Sequence, residues 1–224
     1  MIKRELIFDN QNLKYDIGIG RIKINNKDSL KSENLNDDEK SELNLFFSKL
    51  DFLEHKFAGS TVQIIKDKYL INEDHLFIAC YHVLKTFISK RNILNKKSLE
   101  LLLYLSTNRQ IKNGIEAFGI DSRELFGNEL IYCIITPKNN LFQIKENLLK
   151  EFEGIEVNFE SNYQNVNNYK DIIEYFQIND AQIDVIINSR EDKHDKKLID
   201  LKIKYEALFE LICEKMALLT LVKN

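Results

Sequence analysis

Nine residues, SLELLLYLS at 98–106, are apolar on nearly every side of a helix, so the chain must surround them with other structure. A second run, ELIYCIIT at 129–136, is almost continuously apolar and rich in β-branched residues, which predicts a central strand ending at Pro137. A buried helix and a buried strand need a sizeable core, and 224 residues are enough to build one.

The remaining periodicities fill in the fold. Residues 4–8 and 13–24 (LKYDIGIGRIKI) alternate apolar with small or polar residues and predict an amino-terminal hairpin. Asp37, Asp38 and Glu39 load a helical first turn with acid, and Leu43, Phe46, Phe47, Leu50 and Leu53 follow at helical spacing. TVQII at 61–65 reads as a strand, and Leu76, Cys80, Val83, Leu84 and Phe87 form one apolar helical stripe. Thr107 and Gln110 make a capping box, which predicts Thr107 as N-cap and Arg109 in the first turn of a helix closed by Gly119. Further on come a helix over about 139–152, a short strand near IEVNF, and helices at 168–176, 180–188 and about 195–221. Strands at both ends of a helical centre predict an α+β fold. Seven glycines and one proline leave no linker, so the expectation is a single domain over 1–224.

Enzyme chemistry finds little support. No GxxxxGK, GxSxG or CxxC is present, and the GIG at 18–20 lies inside a strand. His75 and His82 are two helical turns apart, about 10 Å along the axis, too far for one metal. The acid pairs Asp37–Asp38 and Glu191–Asp192 sit in charged, solvated stretches with nothing to shift a pKa. The expectation is a non-enzyme with no cofactor and no metal. Cys80, Cys133 and Cys213 are odd in number and lie in apolar runs, which fits buried thiols in a reducing cytoplasm. No run approaches a membrane span or a signal peptide, so a cytoplasmic protein without a membrane partner is expected.

The formal net charge is −3, yet residues 85–112 carry seven cations against one acid. The cations are Lys85, Lys90, Arg91, Lys96, Lys97, Arg109 and Lys112; the acid is Glu100. They fall at one helix end, in the following loop and at another helix start, where free N–H groups also favour an anion. A cation in a first helical turn is disfavoured by about 0.3–1 kcal/mol, which marks Arg109 as a phosphate-binding candidate. Convergence of these cations on one seat for a nucleic-acid backbone is therefore expected, with salt-dependent affinity. Tyr81 and Tyr104 are candidates for stacking an unpaired base, against the competing reading of core packing. A buried Glu100 would need a partner, and Arg109 or a lysine would compete with the phosphate for it.

The segment from Ile71 to Ile120 resembles the core of the PRPK-binding protein family, the small regulatory subunit of the KEOPS complex. The resemblance rests on His75-Leu76, Glu100 with Tyr104, Arg109-Gln110-Ile111 and Phe118-Gly119-Ile120, and extends to GIGRI near residue 20, YFQINDAQID and the closing MALLTLV. Gly114 departs from the alanine expected in that helix, at about 1 kcal/mol if exposed. The resemblance implies a mixed fold with a helical layer packed on a small antiparallel sheet, and a non-catalytic subunit that binds the small atypical kinase/ATPase of KEOPS and supports tRNA threonylcarbamoyladenosine synthesis. It makes tRNA the expected polyanion, and a flexible single-stranded 3′ end suits cations, a helix terminus and Tyr104. The alternative is a protein-only adaptor that makes no RNA contact. Leu208, Ile212, Leu218 and Leu219 on the last helix are the candidate kinase contacts, with core packing as the competing reading.

Overall fold

The computed structural model describes residues 1–24, 35–125, 128–137, 139–158, 166–190 and 201–221. In chain order the elements are β1 (Ile2–Phe8), a short 3-10 turn (Asp9–Gln11), β2 (Leu13–Ile24), α1 (Leu35–Lys56), β3 (Thr61–Ile65), α2 (Glu73–Ile88), α3 (Lys97–Ser106), α4 (Ile111–Phe118), β4 (Glu129–Thr136), α5 (Leu141–Glu151), β5 (Gly154–Val157), α6 (Val166–Phe176), α7 (Asp180–Ser189) and α8 (Leu201–Leu219). The fold class is α+β, as periodicity predicts. The start of the last predicted helix, residues 195–200 with Leu198, lies outside the described residues, as do the side chains of Asp37, Asp38 and Glu39. Chain contacts define two compact units, one of Met1–Asp67 with Gly119–Phe159 and one of Lys68–Phe118 with Glu160–Asn224.

The first unit is an antiparallel sheet in the order β1-β2-β4-β3, with β5 also paired to β2. β2 is long enough to take β1 along Leu13–Ile19 and β5 along Arg21–Ile24 on one edge, and β4 on the other. Alternation sends Ile22, Ile24, Leu130, Tyr132 and Ile134 into a core with Phe46, Leu50 and Leu53 of α1 and Ile144 and Leu148 of α5. Phe47, on the predicted stripe, is instead 46 % exposed.

Gly20 is the cross-strand partner of Tyr132, whose phenol fills the space a side chain there would need. The Tyr132 hydroxyl donates to Glu156 Oε1 at 2.7 Å. The Met1 amine (2.6 Å) and Lys145 Nζ (3.1 Å) pair with the same carboxylate. Burial pushes the Glu156 carboxyl up, but these three donors outweigh it and hold the group at about 2.

The second unit is helical, with α3 at its centre: Leu101, Leu103, Tyr104 and Leu105 are fully buried. Gly114 is buried, and a Cβ there would stand 2.9 Å from the Leu102 carbonyl oxygen, so α4 lies directly on the α3 backbone. The cost stated for an exposed position therefore does not apply, because this close approach requires a residue without a Cβ.

Three of these helices end in Schellman turns whose left-handed residue is not glycine. In α2 it is Lys90 (φ 56°), with Arg91 N–H donating to the Thr86 carbonyl at 2.8 Å and Lys90 N–H to that of Phe87 at 3.3 Å. Thr107 (φ 51°) closes α3 and Gln177 (φ 51°) closes α6 in the same way. Among the described glycines the left-handed region is occupied by Gly59, so Gly119 does not close α4 as expected.

Candidate functional site

The basic segment is organised around its one acid. Glu100 is wholly buried in the first turn of α3. Its carboxylate accepts from the Ile93 N–H (3.0 and 3.1 Å) and the Leu94 N–H (2.7 Å) of the α2–α3 turn. Burial pushes its pKa up, while those two N–H groups, the Thr86 hydroxyl and the Arg109 charge pull it back. The turn's own backbone therefore supplies hydrogen bonds to Glu100, and Arg109, the cation expected to serve it, acts on it through its charge. Lys90, Arg91 and Lys96 are exposed on this turn. Lys85 Nζ lies 5.6 Å from the centre of the Tyr81 ring and Lys97 Nζ 5.7 Å from that of Phe87.

The predicted capping box at Thr107 is corrected as well. Thr107 closes α3 with a left-handed backbone, and the Asn108 side chain, not Thr107, accepts the Gln110 N–H at 2.9 Å. Arg109 precedes α4, and its Nη1 donates to the Leu219 carbonyl at 3.3 Å, the last residue of α8. The guanidinium therefore sits at the negative end of a helix, where a cation is favoured, and the apparent breach of the dipole rule disappears. Lys112 is well exposed and faces Glu116 at 3.8 Å.

One anion seat for all seven cations is not what the geometry provides. The ten residues of α3 span about 15 Å, with Lys90, Arg91, Lys96 and Lys97 at one end and Arg109 and Lys112 at the other. Beside the second end lies a cleft of about 250 Å³, lined by Ser106, Thr107, Asn108, Asn113, Tyr175, Gln177 and Lys215. Tyr175 stacks on Tyr69 at 4.2 Å and 15°. Burial pushes the Tyr175 hydroxyl up to about 12, so it is a protonated donor at neutral pH. Neither this cleft nor Tyr175 was evident from the charge pattern; the polar run Ser106-Thr107-Asn108 between two apolar helices was the only local signal.

Tyr104 is fully buried and stacks on His82 (5.2 Å, 13°), so it is core and cannot stack a base. Burial pushes the His75 and His82 imidazoles down to about 4. The His75 backbone N–H donates to the Asn72 side chain at 2.8 Å, which makes Asn72 the N-cap of α2. Among the described residues no group of three His, Cys, Asp or Glu is placed to hold a metal, and no helix is long and apolar enough to cross a membrane. On α8, Leu208 and Ile212 are fully buried and Leu219 nearly so, because the helix packs against α2, α3, α6 and α7. The expected apolar surface is thus corrected at these three and present at Leu218, which is 48 % exposed.

The architecture is that of an α+β protein, with an antiparallel sheet and eight helices among the described residues. Residues 23–220 match the family described as kinase binding protein CGI-121, and the chain belongs to that family. A search of curated proteins found no match.

Proposed function

We propose that this protein is a non-catalytic, cytoplasmic KEOPS subunit that binds both the small atypical kinase/ATPase of the complex and tRNA, supporting threonylcarbamoyladenosine synthesis. The kinase half builds on the family, whose members are kinase-binding proteins. Leu218, with Leu221 beyond it at 71 % exposure, offers apolar surface at the end of α8 for that contact.

The RNA half is carried by one observation: a cationic turn and a polar, tyrosine-walled cleft lie at opposite ends of one short buried helix. Phosphates track the cations, while a single-stranded 3′ end can place a base beside Tyr175 among the amides of Asn108, Asn113 and Gln177. Lys215 adds a cation at the cleft.

Filter binding of tRNA over a salt series tests this. Affinity should fall steeply with salt, and the paired substitution Lys90→Glu with Arg91→Glu should weaken it for all tRNAs alike. Trimming the 3′ end should weaken binding further. Salt-independent binding, or none, together with intact kinase pull-down would establish the protein-only adaptor instead.

A further inference from the structure

The one acid of the basic segment is fully buried, accepts hydrogen bonds from two consecutive backbone N–H groups, and is placed directly beneath the turn that carries Lys90, Arg91 and Lys96. We infer that Glu100 is a positioning residue, a buried carboxylate that fixes the α2–α3 turn so that its cations meet a polyanion already ordered; this rests on the RNA-binding reading above.

The physical reasoning runs through the turn's backbone. α2 stops at the left-handed Lys90, and from there the chain must travel to Lys97 without helix or strand to take up its amides. Ile93 and Leu94 donate theirs to Glu100, seven and six residues ahead, so the turn is folded onto the first turn of α3. Thr86 at the end of α2 also faces the carboxylate, and Arg109 acts on it through its charge. A flexible lysine-rich loop would lose its conformational freedom on binding a polyanion; a turn tied down at two consecutive amides has already lost it.

The inference makes a prediction whose sign is opposite to that of simple charge. Removing an acid from beneath a cationic surface should strengthen anion binding by Coulomb's law alone. Removing the anchor should weaken it. The test compares the full chain with Glu100→Gln and Glu100→Asp, the second retaining the charge but withdrawing it by one methylene. Helical circular dichroism checks folding, amide exchange reports Ile93 and Leu94, and filter binding with tRNA gives affinity and salt slope. Both variants should speed exchange at Ile93 and Leu94 and weaken tRNA binding about tenfold, as expected when a binding turn must be ordered anew.

Tighter or unchanged tRNA binding by Glu100→Gln, with faster exchange and a parent that binds tRNA through Lys90 and Arg91, overturns the positioning role alone. Unchanged exchange in both variants overturns it too. A parent that does not bind tRNA overturns the RNA reading and this inference with it. Should Glu100→Gln fail to fold, Glu100→Asp decides by the same criteria; failure of both to fold makes Glu100 a residue of stability and also overturns the inference.

Discussion

Substituting Gly20 by alanine should damage the protein out of proportion to one methyl group. Gly20 faces Tyr132 across the β2–β4 ladder, and a Cβ there would lie 2.7 Å from ring carbon Cε1 and closer still to the hydroxyl end. The ring cannot stay. Overpacking of this kind costs about 1–3 kcal/mol. Displacing the phenol also breaks its 2.7 Å hydrogen bond to the Glu156 carboxylate, a charged acceptor worth about 1.5–3 kcal/mol. The sum, about 2.5–6 kcal/mol, is a large part of the roughly 5–15 kcal/mol that holds a typical domain together. Urea denaturation followed by circular dichroism measures it. Tyr132→Phe alone should cost only the hydrogen bond, about 1.5–3 kcal/mol. Adding Gly20→Ala to Tyr132→Ala should cost little beyond Tyr132→Ala, so the double-mutant cycle should return a coupling of more than about 1 kcal/mol. A Gly20→Ala variant within about 0.5 kcal/mol of the parent, or additive costs in the cycle, would refute the reasoning.

Other consequences follow from the same contacts. Gly114→Ala, which would stabilise an exposed helix by about 1 kcal/mol, should here lower the melting temperature because its Cβ meets the Leu102 carbonyl; a higher melting temperature would contradict the close approach. Thr107→Gly should raise stability in denaturant titration by about 0.5–1 kcal/mol, since a β-branched residue is strained at φ 51°. His82 is held neutral down to about 4, so stability fully present above pH 6.5 should fall as pH drops from 6.5 toward 4, where the unfolded chain binds a proton that the fold refuses. His82→Phe, which keeps the stack on Tyr104, should remove about one proton from that slope when melting temperature is measured against pH.

The sequence determined the fold class and the order of the elements, because helical and strand periodicities are local properties of the chain. The strand at 129–136 and the buried helix near 98–106 were legible for that reason, each being a continuous apolar run. Its place in a leucine-rich helix also marked Glu100 as an acid that would need a partner if buried, and the charge distribution marked the cations along the chain around it.

What tertiary structure decided was where each of those charges goes. The capping box at Thr107 failed because Thr107 and Asn108 instead close a Schellman turn back to Tyr104 and Leu103 at the end of α3. One partner of Arg109 is a carbonyl 110 residues away, which no local pattern encodes. Leu208 and Leu218 look alike on one apolar helix, and only the neighbours of α8 bury the first and leave the second open to a partner. Local spacing fixes which face a residue occupies, whereas burial and charge pairing depend on contacts between segments distant along the chain.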